Sequence, residues 1–182
     1  MKNEFGYYRL GKKMNKIKNK DATNAVLGSY IVAFQSLEHE LICLFSCLND
    51  KNNPNIGEII SSKLPFNNLL DVLDGIFRYR VKDDDLINKF SEIMRKSELF
   101  QKERNNYVHS YYDTDFFSSD SASLHNKKIR RGKGYISIVK TYDPDQLEVS
   151  SSEIYDLIVK IIDFATELQN KNYITNVYSH LT

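Results

Sequence analysis

The sequence predicts a mainly α protein: an antiparallel bundle of amphipathic helices with one small β-hairpin inserted before the last helix. Three observations carry that prediction. Apolar residues recur at three- and four-residue steps through four long stretches. Only 7 Gly and 3 Pro interrupt 182 residues. Between residues 124 and 142 the period changes from helical to alternating around Gly132-Lys133-Gly134. The length suits one domain (1–182) with a core large enough to need no staples.

Residues 1–20 carry Arg9, Lys12, Lys13, Lys16, Lys18 and Lys20 among aromatics and form a basic N-terminal arm, either one that touches RNA or a solvated segment or short helix. A long helix is expected from residue 21 or 23 to about 48, with Leu27, Tyr30, Ile31, Phe34, Leu37, Leu41, Leu44, Phe45 and Leu48 on a wide apolar face. A face that wide belongs either to a helix central to the bundle or to one shared with another subunit. Lys51-Asn52-Asn53-Pro54-Asn55 is turn chemistry. A short helix follows over 56–64, and Pro65 opens another through Phe66, Leu69, Leu70, Leu73, Ile76 and Phe77.

Asp83-Asp84-Asp85 supplies a cap and negative charge for a helix over 85–112, whose buried face is Leu86, Phe90, Ile93, Met94 and Phe100. Residues 113–123 are polar and serine-rich, a loop. Strands are expected over about 124–131 and 135–142, the first strand and turn carrying Lys127, Lys128, Arg130, Arg131 and Lys133. Ser150-Ser151-Ser152-Glu153 matches a capping box and predicts the last helix over 150–171, ahead of a short or loosely packed tail.

The bulk numbers exclude several function classes. Net charge is +1, so any nucleic-acid contact must be local. The apolar stretches are amphipathic or interrupted by charge, and residues 1–5 lack the run of a signal peptide, which predicts a cytoplasmic protein with no membrane partner. Cys43 and Cys47, with His39 one turn before them, read as buried thiols on one helix, since three such groups on one helix rarely close a tetrahedral site. No metal and no cofactor are assigned.

The 85–112 helix breaks its own pattern near its end. Continuing the apolar spacing from Phe100 leads to Arg104, then Val108 and Tyr111, while Asn105, His109 and Tyr112 form a parallel stripe. A guanidinium on a buried seam is costly unless an acid, a phosphate or another subunit meets it. Glu38, beside the Leu37/Leu41 seam, is the candidate acid; a plain surface carboxylate is the competing reading of that residue.

Arg104, four residues, then His109, with Asn105 directly after the arginine and Tyr111 two past the histidine, resembles the Arg-x4-6-His signature of the HEPN superfamily of small helical domains. The resemblance covers roughly 21–112 and 150–171. It implies an antiparallel HEPN-like bundle and a metal-independent endoribonuclease, as in toxins and antiphage defence proteins. It also implies a homodimer with a composite active site, and an antitoxin or nucleotidyltransferase partner. Arg104, His109 and Asn105 would be catalytic, with Tyr111 and Glu38 supporting. RNA contacts are expected from Lys127, Lys128, Arg130, Arg131 and Lys133, with a simply solvated hairpin as the competing reading.

One helix sets Arg104 and His109 about 140° apart and roughly 7.5 Å along its axis, a loose site that a second copy would complete. A non-catalytic dimeric module binding a nucleotide, RNA or a protein partner is the alternative. Arg104 would then be an ion-pair anchor and His109 a cation at a helix C-terminus.

Overall fold

The computed structural model describes the backbone of residues 5–109, 111–112, 122–130, 134–142 and 144–175, and the side chains of 24–109 and 145–175. The element order is α1 (Phe5–Asn49), α2 (Pro54–Ser61), α3 (Phe66–Arg80), α4 (Asp84–Val108), β1 (Tyr111–Tyr112), β2 (Ala122–Arg130), β3 (Gly134–Tyr142) and α5 (Pro144–Asn170). The protein is mainly helical. Contacts divide it into two compact units, one made of Met1–Val32 and Glu103–Ser151, the other of Ala33–Lys102 and Ser152–Thr182.

The second unit holds the larger core. From α1 it buries Ala33, Phe34, Leu37, Leu41, Leu44, Phe45 and Leu48. The wide apolar face of this helix is therefore largely covered inside the chain, which favours the central-helix reading over the shared one. The stretch Asn24–Asn49 is, by length and composition, apolar enough to cross a membrane, contrary to the expectation that none would be. A central core helix passes the same test, and more than half of it is buried. Phe77 of α3 stacks on Phe90 of α4 with ring centroids 3.9 Å apart, and Phe164 of α5 lies 5.7 Å from Phe77 and 6.1 Å from Phe90.

Helix ends in this unit are closed by specific groups. Asp83 Oδ1 accepts from the backbone N–H of Asp85 (3.1 Å) and Leu86 (3.2 Å), as the acidic triplet predicts for the cap of α4. Its other oxygen takes Lys171 Nζ at 2.6 Å. Arg80 Nη2 donates to the carbonyl of Asn49 at 2.7 Å, closing the end of α1. Beyond α5, Asn172 sits in the left-handed region (φ 61°). There the Asn172 N–H reaches Gln169 O at 2.9 Å and the Tyr173 N–H reaches Leu168 O at 3.0 Å, the paired bonds of a Schellman ending.

α2 inverts the usual logic of an amphipathic helix. It buries Gly57 and Ser61 and leaves Ile56, Ile59 and Ile60 exposed. The reason is close approach: a Cβ on Gly57 would lie 2.4 Å from Ser46 Cα, part of the α1 backbone. Gly57→Ala must therefore push the two helices apart, and should lower stability by about 1–3 kcal/mol in a urea titration. An unchanged midpoint would mean that the contact is not held in solution.

Several boundaries differ from expectation: α2 runs over Pro54–Ser61 rather than 56–64, and β2 opens at Ala122 rather than about 124. α1 begins at Phe5, so the basic arm is continuous in backbone with the long helix rather than a separate piece. α4 stops at Val108, not at residue 112. Tyr111 and Tyr112 instead pair antiparallel with His125 and Leu124 as β1, consistent with the strand preference of aromatic residues. α5 begins at Pro144, where proline suits a first helical turn, so Ser150-Ser151-Ser152-Glu153 lies inside the helix and caps nothing. Its serines act otherwise: Ser151 Oγ donates to Leu147 O at 2.8 Å, and Ser150 is described below. The backbone sheet runs β1-β2-β3, all antiparallel, with Lys128 opposite Ile136 and Arg130 opposite Gly134.

Candidate functional site

The end of α4 belongs to the first unit and carries Glu103, Arg104, Asn105, Tyr107 and Val108, with His109 one residue beyond. Arg104, Asn105 and Tyr107 are half-buried, and His109 is exposed. The seam buried at Phe100 thus reaches the surface by Val108, which is 44% exposed. Arg104 Nη1 donates to Asn105 Oδ1 at 3.1 Å, so the two side chains are held as a pair. The His109 N–H still bonds to Asn105 O at 3.2 Å, which carries the helical path to the histidine although α4 has formally ended. Asn105 and His109 consequently follow one another on one helical face.

Tyr111 does not lie on the Arg104 stripe, because the helix has ended before it. Its place is in β1, opposite His125. Glu38 is half-buried on the part of α1 that belongs to the second unit, while Arg104 belongs to the first. Lys127, Lys128 and Arg130 lie on β2, whereas Arg131 and Lys133, with the turn they flank, fall outside the described residues.

A residue the sequence did not single out gathers three hydroxyl groups here. Glu103 Oε1 accepts from Tyr107 OH and from Ser150 Oγ, each at 3.1 Å, and Oε2 accepts from Tyr30 OH at 3.3 Å. Tyr30 is fully buried, and its ring meets that of Tyr107 edge to face at 5.3 Å. Burial, followed by the charge of Glu103, pushes the Tyr30 hydroxyl well above the ordinary phenol range, while the Arg104 guanidinium pulls it the other way. Tyr30 therefore stays a donor. The only hint in the sequence was the i, i+4 spacing of Glu103 and Tyr107; nothing local announces Tyr30 or Ser150.

Among the described residues, no group of three or more His, Cys, Asp or Glu side chains is placed to hold a metal ion. His39 Nε2 lies 3.7 Å from Cys43 Sγ. Cys43 and Cys47 are buried free thiols, pushed up by burial to about 12 and about 11. Neither should react with a thiol reagent at pH 8 until the protein unfolds, because only the thiolate attacks. Rapid labelling of the native protein would contradict their placement.

No family model, no curated protein and no solved structure matches this chain.

Proposed function

We propose that the protein is a metal-independent endoribonuclease of HEPN type, a cytoplasmic toxin or antiphage defence protein acting as a homodimer. The observation that supports this reading is the α4 terminus: a guanidinium paired to an asparagine amide, with an exposed imidazole one turn further on. In this reading a ribose 2′-hydroxyl attacks the adjacent phosphorus. His109 takes the hydroxyl proton, Arg104 meets the charge gathering on the phosphate oxygens, and Asn105 orients the guanidinium. The P–O5′ bond breaks, the 5′ oxygen is protonated by imidazolium, and the products are a 2′,3′-cyclic phosphate and a 5′-hydroxyl. A second copy would bring the complementary histidine and arginine to the same phosphate. Lys127, Lys128, Arg130, Arg131 and Lys133 would hold the RNA backbone, Tyr111 would touch substrate, and an antitoxin or nucleotidyltransferase would restrain the activity.

Labelled RNAs incubated in EDTA with wild type and His109→Ala test this, alongside light scattering at micromolar concentration. Cleavage by dimeric wild type alone is the expected result. A monomer removes the composite site. A dimer that cleaves nothing across a broad RNA panel moves the protein to the non-catalytic alternative, a HEPN-like module binding a nucleotide, RNA or a protein partner.

A further inference from the structure

We propose that Glu103 is a positioning residue: its carboxylate, gripped by the hydroxyls of Tyr30, Tyr107 and Ser150, sets the aim of Arg104 and, through the last turn of α4, of His109. This rests on the ribonuclease reading, which it deepens.

The three donors come from three helices, α1, α4 and α5, and all four side chains lie in the first unit. Two of them are fixed before any ligand arrives, since Tyr30 is 0% and Ser150 8% exposed. A half-buried carboxylate gives up water here for three O–H donors, charge-assisted bonds that are stronger than neutral ones. Because all three donors are neutral, the negative charge is held in place without being cancelled by them. It sits on the residue immediately before Arg104, and the guanidinium is near enough to act on the same Tyr30 hydroxyl.

The spacing also matters. Glu103 and Tyr107 bracket Arg104, Asn105 and Asn106, so their bond spans the turn that carries the arginine and its amide partner. Final helical turns have unsatisfied carbonyls and fray readily. This one is pinned to a buried tyrosine on another helix and to a buried serine on a third. Its rotation about the helix axis, which decides where Arg104 and His109 point, is fixed by side chains that do not themselves meet the substrate. Catalytic groups displaced by about 1 Å lose on the order of a hundredfold in rate, so a small slackening should be visible.

Tyr107→Phe removes one oxygen atom and keeps the carboxylate charge, whereas Glu103→Gln keeps an acceptor oxygen and removes the charge. Each variant is measured for kcat and KM on a cleaved RNA, for thermal midpoint, and for the NMR order parameter of the Arg104 Nε–Hε group. The expected result for both is kcat lower by about 10- to 100-fold, KM within about threefold and a lower Arg104 order parameter. Tyr30→Phe should act in the same direction. Variants that keep both kcat and Arg104 order overturn the proposal, as does loss of kcat with unchanged Arg104 order. Should wild type itself cleave no RNA, the ribonuclease reading fails on that result, and the Arg104 order parameter alone decides whether the clamp positions it.

Discussion

His109→Ala should abolish RNA cleavage while leaving the fold intact. Removing a general acid–base imidazole costs typically about 10²–10⁴ in rate. The side chain is exposed beyond the end of α4, so little packing is lost and the thermal midpoint should move by no more than a few degrees. Arg104→Ala should cost about 10²–10³ in kcat if the guanidinium meets the developing charge. It would also free Asn105 from its partner at 3.1 Å. The double change should fall scarcely below the worse single one, because members of one catalytic unit are not additive. Adding Glu38→Gln to Arg104→Ala separates chemistry from any structural pairing of those two charges: recovered stability without recovered activity assigns Arg104 to the reaction. Equal cleavage by wild type and His109→Ala would remove the histidine from the mechanism.

The largest loss of stability should follow Phe77→Ala. The ring is fully buried, stacked on Phe90 at 3.9 Å and tilted against Phe164 at 5.7 Å. Truncation forfeits the transfer energy of the ring, leaves a cavity among three helices and breaks two aromatic contacts. Phe→Ala changes of this kind cost about 3–5 kcal/mol, a large part of the total stability of a protein this size. Denaturant unfolding followed by circular dichroism should show the midpoint falling sharply with the slope preserved. A shift below about 1 kcal/mol would mean that the site refills and that the aromatic cluster is not the centre of its unit.

The helical core was readable because period and burial agree where packing decides. Leu86, Phe90, Ile93, Met94 and Phe100 on α4 are buried as their spacing required, and of the α5 face expected at Ile154, Leu157, Ile158, Ile161, Ala165 and Leu168 all but the half-buried Ile158 are buried. The errors came where two local codes competed. Tyr111 and Tyr112 continue the helical stripe by number, yet backbone pairing with β2 claims them. Ser150-Ser151-Ser152-Glu153 has the form of a cap, but Pro144 starts the helix earlier and frees Ser150 for Glu103. The sequence assigns the short helix no buried face, and the close approach of Gly57 to Ser46, which leaves its isoleucines exposed, is set by tertiary packing alone. Arg104, Asn105 and His109 were visible as a motif. The Glu103 cluster was not, since Tyr30 stands 73 residues away from it and only tertiary structure joins them.

Neither unit is a continuous piece of chain, and this has a consequence for biosynthesis. The second unit needs residues 33–102 and then 152 onward, while the first is likewise split. Phe164, whose ring completes the cluster of Phe77 and Phe90, follows Phe90 by about 74 residues and leaves the ribosome that much later. At about 5–20 residues per second the nascent protein carries an unfinished apolar cluster for roughly 4–15 s. That interval is when chaperones have most to bind. A strong pause placed after codon 102 should lower the soluble yield more than the same pause placed near the end of the message.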